Sequence, residues 1–231
     1  DAVGAKFFMD FDDGMKKVST IADTSSENIR KMGDQVINLS DDTGQSTDVL
    51  QEALYETISS GVKTGDAMNF LGNATKTAVG GFTDANTAVD GLTTVLNAYG
   101  MQASDATKIS NQMIVAQNLG KTTFGEMAKS IGQVADTTSN CNIKTQDLFS
   151  SLAVETAHGI DTSEAIGGLR ESLSNIIKPT DEATKMASRL GLEFNAAHLK
   201  SVGWAQFLKE IQEKTHGNTE EMGQLFGSVQ G

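Results

Sequence analysis

Residues 83–100 read Thr-Asp-Ala-Asn-Thr-Ala-Val-Asp-Gly-Leu-Thr-Thr-Val-Leu-Asn-Ala-Tyr-Gly. Thr83 or Asp84 is a residue type that caps a helix start. Ala85, Val89, Leu92, Val95, Leu96 and Tyr99 then recur at steps of three and four, which places them on one helical face. Gly100 follows, where a left-handed residue stops a helix at low steric cost. The stretch is one helix with its start and its stop both written in.

The same punctuation runs outward in both directions. Breaks fall at Gly61, Gly81, Gly100, Gly120, Asn140–Asn142, Gly159 and Lys178-Pro179. Ser46, Thr64, Thr83, Ser104, Thr122/Thr123, Thr145 and Thr162 sit at the expected N-caps. Breaks about every 20 residues make helical hairpins of about 39, the mark of a repeat architecture. Ser104 opens a helix with Ile109, Met113 and Ala116 inward. Thr123 and Glu126 form a capping box ahead of Met127, Ile131 and Val134. Thr145 precedes Leu148, Phe149 and Leu152, with Gly159 as the stop. Asp161 and Glu164 make a second box ahead of Ile166, Leu169, Leu173, Ile176 and Ile177, and Pro179 forbids continuation.

Outside this region the rhythm loosens. Phe7, Phe8, Phe11, Met15, Val18 and Ile21 predict a helix from about Ala5 to Ala22, weakened by Gly14. A second helix is expected over Ser26–Leu39, with Ile29, Met32, Val36 and Ile37 on one side and a polar turn at 40–44. After Pro179, a short helix over Thr180–Leu190 stops at Gly191, and Leu192–Phe194 is extended. Trp204, Phe207, Leu208 and Ile211 form one stripe, and Asn218 with Glu221 caps a last helix through Met222, Leu225 and Phe226. Strand-like alternation never persists. The expected fold is all-α: short helices in consecutive hairpins, packed as an irregular bundle or a short solenoid. Three parts are expected: an N-terminal helical segment over 1–60, a hairpin repeat core over 61–178, and a C-terminal helical segment over 179–231.

Composition narrows the function. The 231 residues carry a formal charge of −12, with only one proline, one cysteine and one tryptophan. Acidity is concentrated at the N-terminal end. Without a Lys/Arg cluster the chain has no grip for nucleic acid, and the same sign disfavours an anionic membrane surface. The longest apolar runs fall far short of the roughly 20 residues a bilayer span needs. A start at Asp1 and a stop at Gly231 read as a piece of something longer.

Several motifs invite chemistry and lose to simpler readings. Gly120-Lys121-Thr122 resembles the end of a phosphate-binding loop, but Val115 stands where that motif needs glycine and a helix precedes it. Cys141 and His158 lack the setting of a nucleophile–base pair, so Cys141 reads as a small core residue. His158, His198 and His216 share no ligand spacing, and Glu221 after His216 is already explained as a cap. Asp10, Asp12, Asp13, Asp41 and Asp42 read as solvated faces rather than calcium ligands. Gly61 with Gly65, Gly80-Gly81 and Gly167-Gly168 would permit close helix contacts. No catalytic, cofactor-binding or metal residue is predicted.

The order of segments resembles the core region of phage tail tape measure proteins. The resemblance rests on residues 7–22, on 88–100 (Ala-Val-Asp-Gly-Leu-Thr-Thr-Val-Leu-Asn-Ala-Tyr-Gly), on 168–180, on 186–194 and on Gln224-Leu225-Phe226-Gly227. It covers about 5–231. It implies a non-enzymatic structural part of a virion tail that sets tail length during tube assembly and leaves at infection. The implied partners are tail-tube, tail-tip or initiator and tail-assembly chaperone proteins, and the symmetry of a tube lumen favours a homo-multimer. The alternatives are a tail-associated cell-wall hydrolase and a helical-repeat binding module unrelated to phage.

Overall fold

The computed structural model describes residues 2–227, and among them the chain forms helices with no strand. The helices are α1 (Ala2–Ser19), α2 (Ser26–Thr43), α3 (Thr47–Ser59), α4 (Thr64–Gly80), α5 (Ala85–Ala98), α6 (Ala106–Leu119) and α7 (Phe124–Ser130). They continue with α8 (Ala135–Asn140), α9 (Thr145–Ala157), α10 (Thr162–Ile177), α11 (Asp181–Leu190), α12 (Ala196–Val202), α13 (Trp204–Thr215) and α14 (Thr219–Phe226).

Helix starts follow capping chemistry, with instructive exceptions. Ser46, Asp84, Thr123, Thr180 and Asn218 each accept a backbone N–H from the first turn of the helix they open. The Thr123–Glu126 box closes in both directions, at 3.1 and 3.0 Å. Asp161 is the N-cap of α10, but its side chain makes no capping bond, so the predicted box with Glu164 does not form. Thr64, Thr145 and Thr162 fall on the first helical residue instead of the cap, and Ser104 lies in a short 3₁₀ turn, Ala103–Asp105. Two of these hydroxyls are engaged elsewhere. Thr64 Oγ1 accepts from the Asp23 N–H at 3.1 Å, and Thr162 Oγ1 pairs with Thr122 Oγ1 at 2.7 Å.

Helix ends use one device repeatedly. Gly61 and Gly100 are left-handed, and the next residue donates back across the turn: Val62 to Thr57 O at 3.2 Å and Met101 to Leu96 O at 2.8 Å. Asn142, Gly159 and Gly191 end α8, α9 and α11 the same way. This satisfies carbonyls that a helix end leaves free and reverses the chain within two residues. The expected stop at Gly81 is displaced: Phe82 is the left-handed residue, with φ 58°. Gly81 matters through proximity, because a Cβ there would collide with Phe124. Gly120 is also not left-handed; it lies against Ala153 and Thr156 of α9.

Because two helices return the chain to its starting side, helices stack on those one unit away. α1, α3, α5, α7 and α10 form one row, and α2, α4, α6 and α9 a second. Hydrogen bonds between units join residues about one repeat apart. Gln45 Oε1 accepts from Ala85 N, Gln117 Nε2 donates to Gly80 O, and Tyr99 OH donates to Thr138 Oγ1, with separations of 40, 37 and 39 residues. Burial pushes the Tyr99 hydroxyl up to about 12, which keeps it a donor. One contiguous core runs from Met15 to Leu225. Its buried Thr57, Thr75, Thr93, Thr156 and Thr215 donate to the carbonyl four residues back, at 2.7–2.8 Å, so these five hydroxyls are satisfied within their own helices.

Four further expectations change. Gly14 does not interrupt α1; its missing Cβ makes room for Gln51, whose Nε2 donates to Phe11 O at 2.8 Å. The α1 stripe is half used: Met15 and Val18 are buried while Phe7 and Phe8 are exposed. α2 continues through the predicted polar turn and stops at left-handed Gly44. The helix expected after Thr123 splits at a 3₁₀ turn, Ile131–Gln133, which follows Ser130 and contains Gly132, both weak helix formers.

Gly81→Ala should destabilise the protein by about 1–3 kcal/mol through overpacking on Phe124. Gly72→Ala, inside α4 with nothing within 4 Å of the new methyl, should stabilise it by about 0.5–1 kcal/mol. Urea unfolding of both variants checks the contrast.

Candidate functional site

Past α10 the stack is closed by α11–α14. Phe194, Phe207 and Phe226 form a ring cluster, with centroids at 5.9 Å (Phe194–Phe207) and 5.3 Å (Phe194–Phe226). Arg189 reaches Glu221 at 3.3 Å, and Asn175 of α10 donates to the Phe226 carbonyl. Trp204 turns α13 onto α9: its Nε1 donates to Ser151 Oγ at 3.0 Å.

This closure leaves a groove of about 1120 Å³ between α9, α10 and α13. α9 lines it with Asp147, Ser151, Val154 and Glu155, which recur at three and four on the face opposite its buried Phe149 and Ala153. α10 contributes Glu164, Gly167, Gly168 and Glu171, again a single face. Trp204 and Leu208 form the third side. Gly167 and Gly168 were expected to serve tight packing. A Cβ at either would meet nothing within 4 Å, and the two glycines instead leave the α10 wall of the groove low. Gly65 and Gly80 likewise have no close neighbour, and of the glycines expected at close contacts Gly81 alone makes one.

Electrostatically the groove is one-sided. Four carboxylates and no Lys or Arg line it among the described residues. Burial pushes the Glu155 carboxyl up to about 7, with no cation to draw it back.

The motifs singled out in the sequence lie elsewhere. Cys141 is buried at the end of α8, where burial pushes its thiol up, opposite to the shift that activates a nucleophile. His158 Nδ1 donates to the Val154 carbonyl at 2.8 Å at an exposed helix end. Lys121 is exposed, and Thr122 is taken up by its bond to Thr162. His198 is bracketed by Glu210 at 2.6 Å and Glu193 at 3.3 Å, an arrangement no spacing rule suggested; hydrogen bonds from His198 and Gln206 hold the half-buried Glu210 below the usual carboxylate range. Among the described residues no group of three or more His, Cys, Asp or Glu could hold a metal ion. No helix there is long and apolar enough to cross a membrane.

A family model described as phage-related minor tail protein matches residues 26–228. The chain belongs to the phage-related minor tail protein family. It is 29% identical, over 96% of its length, to the probable tape measure protein of Clostridium phage phiCD119. It is 23% identical, over 95% of its length, to the tape measure protein of Pneumococcus phage Dp-1. The chain spans 25% of the length of the first relative and 19% of the second. No solved structure matches it.

Glu155 carries a pH signature. Its folded pKa lies above the unfolded value, so the folded state holds more protons between the ordinary carboxylate range and about pH 7. Stability therefore falls as pH rises through that window. Glu155→Gln should melt progressively higher than the parent as pH is raised from 5 to 8, measured by circular dichroism.

Proposed function

We propose that this minor tail family chain is a non-enzymatic, structural segment of a tape measure protein, located in the virion tail after assembly in the bacterial host cytoplasm. The observation that carries this reading is similarity over nearly the whole chain to two proteins that bear that name. The full-length protein would set tail length during tube assembly and be released at infection. Its contacts would be with tail-tube, tail-tip or initiator and tail-assembly chaperone proteins, and with further copies of itself.

Within this reading, 1–60 is an N-terminal helical segment, 61–178 the hairpin core, and 179–231 a C-terminal segment. Support for the middle division comes from the run of helix stops between Gly61 and Pro179. The charge of −12 suits a body that must clear a channel carrying DNA, because it repels phosphates.

The competing reading, a cell-wall hydrolase, finds no support in Cys141 or the histidines. Two experiments separate the readings. Deleting helical residues from the full-length protein should shorten tails by ~1.5 Å per residue removed, the rise of a helix, as measured by electron microscopy of particles. Tails of unchanged length would overturn the tape measure reading. The purified chain should leave a cell-wall suspension turbid; clearing that a single substitution abolishes would establish the hydrolase instead.

A further inference from the structure

The groove between α9, α10 and α13 offers apolar and acidic surface in one place. Val154 is 58% exposed and Leu208 38% exposed on its walls, so aliphatic surface lies open beside the carboxylates. Gly120 presses on Ala153 and Thr156, which brings Leu119, 71% exposed at the end of α6, to the turn of α9 that carries Val154. The volume of about 1120 Å³ exceeds the roughly 300–1,000 Å³ of small-molecule pockets. It suits the laying of one helix into a trough formed by others.

Charge decides which helix. Glu155 faces only carboxylates from the groove's walls: Asp147 on its own helix, and Glu164 and Glu171 on α10, while α13 supplies Trp204, Ala205 and Leu208. A neutral or acidic partner would bury these carboxylates without counter-charge, which costs several kcal/mol per ion. A partner with Lys or Arg beside its apolar face would pair them. We propose that the groove is the docking site of a basic amphipathic helix from another protein. Its apolar face lies on Val154 and Leu208, beside the largely buried Trp204, and its cations meet Glu155, Glu164 and Glu171. The low wall at Gly167 and Gly168 allows close approach to the α10 backbone. A cation beside Glu155 draws its carboxyl down from about 7, so docking at neutral pH releases protons. This goes beyond the tail reading, which names no surface.

Trp204 is the sole tryptophan and lies in the groove wall, so its emission reports occupancy. The probe is a synthetic Leu/Lys peptide of about 18 residues, roughly five helical turns with all leucines on one face. Titrated into the 231-residue protein, it should bind saturably, change Trp204 emission, and release protons at pH 7 by calorimetry in buffers of different ionisation enthalpy. Glu164→Gln/Glu171→Gln should bind about fivefold more weakly, the scale of two lost partly exposed ion pairs. Asp41→Asn/Asp42→Asn, with the same charge change on α2, should bind within about twofold of the parent. Glu155→Gln should abolish the proton release. Equal weakening by both double variants, or equal binding of a scrambled peptide, would mean diffuse attraction to an acidic surface and would overturn the proposal. So would a spectrum of Trp204 that does not respond, or a groove occupied by self-association that no peptide displaces.

Discussion

The reversal of the chain at left-handed residues fixes where most of the helices end and which helix each meets next. A helix of about 14 residues is marginal alone in water and gains its stability from neighbours. Ending it with a bond such as Met101 N–H to Leu96 O both satisfies the free carbonyl and sets the direction of departure. Once two such reversals have occurred, the next helix lies against the one a unit earlier. The two-row arrangement, the shared core and the bonds spanning about one repeat all depend on that geometry.

Contacts between units then select residues of particular size. Gly91 lies so close to Ala128 that a methyl group would collide with it, and Gly125 stands in the same relation to Thr83. These glycines are spaced to permit α5 and α7 to touch backbone to side chain. Buried threonines use the other economy: a β-branched shape that packs like valine, with a hydroxyl that bonds to its own helix. Each of these threonines thus fills core volume without needing a partner from another helix.

The helices and their stops were legible because they are local. Ser46, Asp84, Thr123 and Asn218 cap as their neighbours dictate, and Gly61, Gly100 and Gly191 adopt the expected left-handed form. What the sequence hid is what two distant segments do to one another. Gly81 and Gly120 look like stops, yet Phe124 and Ala153 explain them, and neither neighbour is marked in advance. Thr64 and Thr162 look like caps, yet their hydroxyls answer to Asp23 and Thr122, some forty positions away. The groove was illegible for the same reason. No motif singles out Asp147, Glu155 or Glu171, and Glu164 reads as a capping residue; only the bond from Trp204 to Ser151, 53 residues earlier, brings α13 beside them.

The stacking in rows has a mechanical side. Each helix rests mainly on its partner in the hairpin and on the helices one unit before and after, so cohesion is distributed along the chain instead of gathered at one centre. Pulled from an end, such an object peels: the force at any moment is borne by a single inter-unit seam, and the next seam is loaded only after the first has opened. On α1, Phe7 and Phe8 stay exposed. Extension would therefore proceed in steps of one hairpin, at a tension set by the weakest local joint and not by the total stability of the fold.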